Sequence, residues 1–237
     1  MKNEQIHSTE DILHMLDSFF REEGPWWNRF YSDRSKSIPF FVHAPDENLD
    51  QYVQNRLGSP GRVLELGCGA GRNAVYMARR GWTVDAVDLS EEAIAWGQER
   101  AKSAQVPVRF HCQNLFDLEL QPNAYDLIYD SGCFHHILPH RRMSYLDLIQ
   151  KHLKPGGYYG IVCFAAGSMG ADMTDWDVYR DHSLKGGLGY TEEKLCDIFR
   201  DLELIESRRM QSLPQPGPLF GESFLWTALF RKTAPAK

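Results

Sequence analysis

The sequence predicts an α/β fold built on a doubly wound parallel sheet. Three observations support this: strand patterns alternate with helix patterns from residue 62 onward, three glycines follow the first strand, and no helix fits between the last two strands. Alternating strands and helices form a parallel sheet with right-handed crossovers and helices on both faces. Two strands joined by a loop without a helix should instead pair antiparallel.

Caps, apolar periodicity and turn residues locate the individual elements. Before the sheet, a helix is expected over 8–20, an ordered loop or short helix over 21–44, and a helix from Pro45 to near Gly58. Strands are expected at 62–66, 83–89, 108–114, 125–131, 158–164, 202–210 and 222–232. The connecting segments are helices at 71–81, 90–104, 140–153 and 191–201, a turn at 154–157 and a loop at 165–190.

Composition excludes several classes of protein. The chain has 237 residues, 43% of them hydrophobic and 24% charged, which is typical of one globular α/β domain. A formal net charge of −6 without a lysine or arginine block argues against nucleic-acid binding. Five widely spaced cysteines indicate neither a disulfide framework nor a zinc site. Since no signal-like or 18-residue apolar run occurs, we expect a cytoplasmic protein without a membrane span.

The stretch VLELGCGAGR at 63–72 predicts a ligand site at the carboxyl edge of the sheet. Gly67, Gly69 and Gly71 separate the first strand from a helix N-terminus, where a ligand can approach the backbone. Their GxGxG spacing differs from the GxGxxG dinucleotide fingerprint. Asp88, at the end of the second strand, can accept two vicinal ribose hydroxyls. Glu65 would repel pyrophosphate and favours a cationic group.

The ordered motifs VLELGCGAGR, VDAVDLS, CQNLFDL, YDLIYDSGCFHHI and LKPGGYY resemble those of class I S-adenosylmethionine-dependent methyltransferases. The resemblance covers about residues 60–231. It implies a methyltransferase enzyme with S-adenosyl-L-methionine as cofactor. It also implies a Rossmann-like, seven-stranded sheet in the order 3-2-1-4-5-7-6, with the last strand antiparallel.

The resemblance also assigns cofactor-binding residues. Glu65, Gly67, Cys68 and Gly69 would line the methionine end, and Asp88 would hold the ribose. Leu89, Asn114 and Leu115 would face the adenine, where asparagine departs from the aspartate common in the family. Asp130 and Ser131 would lie beside the sulfonium, although Asp130 could merely cap the following turn.

A closer resemblance is to the branch that includes thiopurine S-methyltransferase and the tellurite-resistance methyltransferases, carried by WWNRFYSDRSKSIPFF and DSGCFHHILPHRRMSYLDLIQKHLKPGG. It implies that Trp27 and Tyr31, with Phe40 as a further candidate, fold over the cofactor. The alternative is that these aromatic side chains only pack the N-terminus onto the core. We therefore expect a cap segment over 1–58 and a methyltransferase domain over 59–237.

The stretch FHHILPHRR at 134–142 concentrates histidines after the fourth strand. A metal site is not expected, because adjacent histidines point apart and a closed ligand set is missing. His136 or His140 could accept a proton from the substrate. Hydrogen-bonded histidines on the rim of the pocket are the alternative.

The methyl acceptor is expected to be a small molecule. Residues 130–133 read DSGC, which lacks the (N/D)PP(Y/F) motif of DNA and amide-nitrogen methyltransferases of this class. Trp26, His140, Trp176 and Tyr190 are candidate acceptor-binding residues. The acceptor would be a thiol, a thiopurine or a selenium or tellurium species. Alternatives are O-methylation of a quinol or phenol, and a catalytically silent protein that binds S-adenosylmethionine; a monomer or a homodimer fits either case.

Overall fold

The computed structural model describes residues 5–233. Residues 1–4 of the expected cap segment and residues 234–237 of the expected methyltransferase domain lie outside the described residues. In chain order, the helices and strands are α1 Thr9–Asp17, α2 Glu23–Ser32, α3 Glu47–Asn55, β1 Arg62–Leu66, α4 Arg72–Arg79, β2 Thr83–Asp88, α5 Glu91–Ala104, β3 Arg109–Cys112, β4 Tyr125–Ser131, α6 Arg142–His152, β5 Leu153–Phe164, α7 Asp175–Asp181, α8 Glu192–Ile198, β6 Glu203–Arg209 and β7 Leu225–Arg231.

The seven strands form one sheet in the order β3-β2-β1-β4-β5-β7-β6. Strands β1 to β5 pair in parallel, and β7 runs antiparallel to both β5 and β6. The expected order, the reversed last strand and the antiparallel pairing of β6 with β7 are therefore confirmed. In a parallel sheet of this kind, the carboxyl ends of the strands meet at one edge and leave a crevice there for a ligand.

Two apolar clusters cover the two faces of the sheet. On one face, α6 and α8 pack through Leu148, Ile149 and Leu195 against the central strands. On the other, α4 and α5 pack through Met77 and Ile94. Strand β1 lies between the two clusters, and its residues 63–66 are all buried.

A buried ion pair joins the N-terminal segment to the sheet. Asp46 precedes α3 and is fully buried, and its carboxylate accepts hydrogen bonds from three groups. The donors are Nη2 of Arg72 at 2.6 Å, Nδ2 of Asn73 at 2.9 Å and the Tyr129 hydroxyl at 2.8 Å. Arg72 also donates to the Ala44 carbonyl at 3.1 Å, so the start of α4 holds the segment before α3 at two points.

Several elements differ from the sequence-based expectation. The 165–190 loop contains the short helix α7, whereas the aromatic stretch forms the ten-residue helix α2, in line with the expected alternative of a short helix. The expected turn at 154–157 is instead part of β5, which begins at Leu153. The pairing of β5 shifts register between Tyr125 and Leu127 of β4, so the strand carries a local irregularity where a turn was expected. Residues 154–157 have no ladder partner in β4, so the expected turn appears as a bulge within the strand.

Candidate functional site

A large cavity opens at the edge of the sheet where the parallel strands end. Its volume is about 1590 Å³, which exceeds the roughly 300–1,000 Å³ typical of a pocket for one drug-sized ligand. Its lining includes Glu65 of β1, Asp88 of β2, Ser131 of β4 and Phe164 of β5. The cavity is therefore large enough to hold a cofactor and an acceptor together.

The glycine loop passes unusually close to neighbouring side chains. Gly67 and Gly69 have φ angles of 61° and 53°, in the left-handed region that favours glycine. A Cβ atom on Gly67 would lie 2.5 Å from the Cβ of Cys133, and one on Gly69 would lie 2.6 Å from the Tyr31 hydroxyl. Neither position can carry a side chain, so the backbone itself forms this part of the cavity wall.

Asp88 is held in place by the backbone. Its two carboxylate oxygens accept hydrogen bonds from the N–H of Gly69 at 2.8 Å and from the N–H of Ser90 at 2.9 Å. Burial raises the pKa of Asp88, and these backbone donors act in the opposite direction. Each oxygen retains a second lone pair toward the cavity, so the carboxylate can accept two further hydroxyls.

Glu65 is a buried acid with an unsatisfied oxygen. It is 3% exposed, and its Oε2 atom has no hydrogen-bond partner among residues 5–233. Burial raises the pKa of Glu65 to about 8, while the nearby Arg72 guanidinium lowers it. An unpaired buried carboxylate costs free energy unless a cation neutralises it. The cavity therefore presents a site for an ammonium group at the end of β1.

Helix α2 covers the cavity with aromatic side chains. Trp27 and Tyr31 both line it, and their ring centroids are 6.2 Å apart. Asn28 fixes the helix to the start of α5, because its Oδ1 accepts a hydrogen bond from the Ser90 hydroxyl at 2.9 Å. Burial raises the pKa of Tyr31 well above its ordinary value, so the phenol stays neutral. The side chains that pack α2 onto the body are thus also the ones that face the cavity.

The remaining expected cofactor residues fall into two groups. Cys68, Leu89, Leu115 and Ser131 line the cavity. Asn114 lines it too, but its Oδ1 accepts a hydrogen bond from the Phe116 N–H at 3.0 Å and caps a short 3-10 turn. The side-chain oxygen of Asn114 is therefore already in use, and its amide N–H groups are available to bind a ligand.

The expectation for Asp130 is corrected by the structure. This side chain is fully buried and is not part of the cavity lining. Its Oδ1 accepts hydrogen bonds from the N–H groups of Cys133 and Phe134, and its Oδ2 accepts one from the Tyr145 hydroxyl at 2.5 Å. Burial raises the pKa of Asp130 to about 6. Asp130 caps the turn after β4, which is the alternative that the sequence had left open.

The two candidate proton acceptors have different surroundings. His136 lines the cavity and contacts the Trp27 ring edge-on at 4.9 Å. Burial, with the nearby Arg21 charge, lowers the pKa of His136 to about 3, so its ring is neutral. His140 lies outside the lining, where Nε2 contacts Asp17 and Nδ1 contacts the Tyr179 hydroxyl, both at 2.8 Å. His140 therefore holds α1 in place and does not reach an acceptor.

Three of the expected acceptor-binding residues also lie outside the cavity lining. Trp26 stacks on Phe30, with 5.4 Å between the ring centroids. Trp176 is 74% exposed on α7, and Tyr190 is buried in the core against Phe134 at 5.2 Å. Aromatic content in a loop did not distinguish core and surface positions from cavity positions.

Residues that sequence reasoning missed line the part of the cavity beyond β4. They are His135, Phe164 and Phe224. Phe164 ends β5, and its place at the carboxyl edge was a usable signal. His135 belongs to the same FHH stretch as His136. The two histidines differ in the contacts of their rings, which the sequence does not show.

Over residues 5–233, no group of three or more histidine, cysteine, aspartate and glutamate side chains is arranged to hold a metal ion. No helix in the same range combines the length and the apolar content needed to cross a membrane.

Comparisons with known proteins agree with this geometry. Residues 63–157 match the family model described as a methyltransferase domain. A relative from Haemophilus influenzae, named as an S-adenosyl-L-methionine-dependent methyltransferase, TehB, is 29% identical over 202 residues, covering 85% of this chain and 63% of the relative. Residues 63–157 therefore carry a methyltransferase domain. The chain spans between 30% and 63% of the length of the relatives that it matches.

Solved structures match the methyltransferase domain in fold. One comes from a study of the conversion of a disulfide bond into a thioacetal group in echinomycin biosynthesis; it has a TM-score of 0.71 at 19% identity and covers 91% of this chain and 94% of that chain. Another is the 1,6-didemethyltoxoflavin-N1-methyltransferase of Burkholderia thailandensis with bound S-adenosylhomocysteine. It has a TM-score of 0.66 at 22% identity, and the match covers 97% of this chain and 92% of that chain.

The cavity of the methyltransferase domain fits S-adenosylmethionine on two independent observations. The unsatisfied Oε2 of Glu65 matches the ammonium group of the methionine end. The backbone at Gly67 and Gly69, where no side chain fits, leaves room for that end beside Asp88, whose free lone pairs match the ribose hydroxyls. Opposite charge and matched donors and acceptors thus meet at the ends of β1 and β2.

The Asp88→Ala variant of the methyltransferase domain is expected to bind S-adenosylhomocysteine more weakly, by about 1–3 kcal/mol, the scale of hydrogen bonds to a charged group. Isothermal titration calorimetry measures this change. Glu92→Ala, an exposed acid in the first turn of α5, serves as the control and should bind as the wild type does. An unchanged dissociation constant for Asp88→Ala would exclude the ribose role.

Proposed function

We propose that the protein transfers a methyl group from S-adenosylmethionine to a small-molecule nucleophile of the thiol or thione type. One observation carries the proposal: a single cavity extends from Glu65 and Asp88 at the ends of β1 and β2 to Phe164 at the end of β5. Cofactor and acceptor can therefore meet inside it without crossing solvent. The N-terminal segment within 1–58 acts as a cap, since α2 closes the cavity with Trp27 and Tyr31.

Positioning is the main contribution of this chain to the reaction. When bound, S-adenosylmethionine supplies an activated methyl group on a sulfonium. Glu65 and Asp88 anchor the two ends of that molecule, and the Gly67–Gly69 backbone sets the depth at which it lies. The rings of Trp27 and Tyr31 exclude water and attract positive charge to their faces. Holding two reactants in line in a dry site accounts for a large part of the rate of such a displacement.

His136 suits an acceptor that attacks in its uncharged form. The acceptor lone pair forms the new bond to the methyl carbon, and the electron pair of the breaking bond stays on the cofactor sulfur. The acceptor becomes positively charged during attack, so its proton turns strongly acidic. A neutral imidazole with a pKa of about 3 can then take that proton. An alcohol, which needs removal of its proton before attack, is less well served by so weak a base.

An acceptor screen tests the proposal. The protein is incubated with S-adenosylmethionine and, separately, a thiol, a thiopurine, tellurite or a quinol, and the release of S-adenosylhomocysteine is measured. We expect release with the thiol or the thiopurine, and less with the quinol. Calorimetry with S-adenosylhomocysteine and NAD is run alongside. Binding of NAD without binding of S-adenosylhomocysteine would refute the proposal, and cofactor binding without turnover of any acceptor would indicate a catalytically silent protein.

A further inference from the structure

Five aromatic rings form a continuous surface in the part of the cavity beyond β4. We name this surface the aromatic wall; it consists of Trp27, His136, His135, Phe164 and Phe224, all of which line the cavity. Neighbouring ring centroids are 4.9, 4.2, 3.8 and 6.3 Å apart in that order. His135 lies nearly parallel to Phe164, with 17° between the ring planes. These two rings cover each other's facing sides, so an aromatic molecule can contact the wall edge to face, which is a favoured arrangement of aromatic rings.

His135 gives the wall a hydrogen-bond donor whose position is fixed. Nδ1 of His135 lies 3.2 Å from the backbone N–H of Phe164 and must accept, because an amide nitrogen can only donate. Burial lowers the pKa of His135 well below its ordinary value, so the ring is neutral and its proton is on Nε2. Among the described residues, Nε2 has no hydrogen-bond partner. The backbone carbonyl of His135 accepts from the Leu188 N–H at 2.9 Å, which fixes the residue further.

The charges that line the cavity do not favour an anion. Carboxylic acids outnumber arginines there by six to four, and no lysine is part of the described lining. Three of the arginines are paired with acids: Arg21 with Glu23, Arg72 with Asp46, and Arg141 with Glu10 and Asp17. The fourth, Arg100, donates to the carbonyls of Ala70 and Phe41 and lies over the ring of Trp96, which is not part of the wall. An anionic acceptor would lose its hydration and meet no unpaired cation beside the aromatic wall.

We propose that His135 binds the methyl acceptor through its Nε2–H, and that this acceptor is an uncharged aromatic molecule bearing a hydrogen-bond acceptor atom. This inference rests on the proposed methyltransferase function and narrows its acceptor class. It excludes oxyanions such as tellurite as substrates of this cavity. His136, next in the wall, remains free to take the proton that the acceptor releases.

Matched probes separate charge from hydrogen bonding. Calorimetry on the full chain saturated with S-adenosylhomocysteine measures the binding of quinoline, of naphthalene, which has the same shape without the ring nitrogen, of quinoline-2-carboxylate and of tellurite. We expect quinoline to bind about 3- to 10-fold more tightly than naphthalene, the scale of one neutral hydrogen bond. The carboxylate should bind at least roughly 10-fold more weakly than quinoline, since a buried unpaired charge costs more than 1.4 kcal/mol. Tellurite should show no binding.

The His135→Phe variant tests the residue itself. It keeps an aromatic ring in the wall and removes the donor, so quinoline should lose its advantage over naphthalene while naphthalene and S-adenosylhomocysteine bind as before. His182→Phe, the same change at an exposed histidine outside the cavity lining, should leave all these affinities unchanged. The comparison of quinoline with naphthalene on the wild type needs no variant, and so it stands even if His135→Phe does not fold.

The outcomes are distinct. Equal binding of quinoline and naphthalene to the wild type, or equal losses of both in His135→Phe, would overturn the role of His135. Binding of quinoline-2-carboxylate or tellurite as tight as that of quinoline would overturn the uncharged acceptor. Failure of the wild type to bind S-adenosylhomocysteine would instead overturn the proposed function.

Discussion

Replacing Glu65 by glutamine is expected to stabilise the ligand-free protein at alkaline pH and to weaken its cofactor binding. Burial raises the folded-state pKa of Glu65 from its ordinary value of 4.5 to about 8. Between these two values the folded chain binds more protons than the unfolded chain, so the free energy of unfolding falls as pH rises through this window. Above pH 8 the wild type carries the full cost, about 3–5 kcal/mol at ~1.36 kcal/mol per pKa unit. Glutamine cannot ionise, so the Glu65→Gln variant avoids this free-energy cost.

Urea unfolding of the wild type and Glu65→Gln at pH 5 and pH 8.5 measures this effect. The two proteins should have similar stability at pH 5, and the variant should be the more stable at pH 8.5. An exposed acid of the same type, Glu91, provides the control as Glu91→Gln; this variant retains Glu65 and should lose stability between the two pH values as the wild type does. A wild-type stability that does not fall between these pH values would contradict the assignment.

Calorimetry with S-adenosylhomocysteine gives the second half of the same result. Glu65→Gln should bind the ligand more weakly by about 1.5–3 kcal/mol, because a charged hydrogen bond to the ammonium group is lost. Wild-type affinity in the variant would show that the unsatisfied oxygen of Glu65 serves another purpose. A variant that is more stable and binds less well shows that the buried charge is kept for its ligand.

Removing the Asp46 carboxylate is expected to destabilise the whole protein. In Asp46→Ala, the buried Arg72 guanidinium loses its 2.6 Å partner, and Tyr129 and Asn73 lose their acceptor. Breaking one side of a buried ion pair typically costs about 3–5 kcal/mol. Urea unfolding at neutral pH measures the loss.

Two further variants sharpen that measurement. Asp46→Asn keeps a neutral acceptor and should lose less stability than Asp46→Ala. Asp181→Ala removes the partner of Lys185 in a surface pair at 2.6 Å and should leave the unfolding midpoint unchanged within error. Equal stability of Asp46→Ala and the wild type would mean that the N-terminal segment is not anchored by this contact.

Sequence patterns predicted the parts of the site that depend on neighbours along the chain. The glycine loop lies between β1 and α4, and Asp88 ends β2, so strand and helix periodicity together placed Gly67, Gly69 and Asp88 at one edge. The sheet order followed from the family resemblance, and β6 and β7 paired as the missing helix required. These features need only the rule that parallel strands end on the same side.

Contacts between distant residues explain what the sequence could not indicate. Asp130 is a cap because Tyr145 approaches it from α6, and His140 is occupied because Asp17 reaches it from the far end of α1. No local pattern reports such partners. Trp176 and Phe224 are both aromatic residues in the C-terminal part of the chain, yet one faces solvent and the other the cavity.

The reversed direction of β7 brings an additional chain segment to the acceptor. Because β7 is antiparallel to β5, its first residue, Leu225, reaches the same edge as the last residue of β5, Phe164. The 210–224 connection therefore contributes Phe220 and Phe224 to the cavity without any part in the glycine loop. The backbone of Phe220 forms hydrogen bonds with Pro45 and Glu47, so the position of this residue does not depend on its side chain. Under the proposed function, changes in that connection alone can alter which acceptors enter the cavity, while the residues proposed to bind the methyl donor are inherited unchanged.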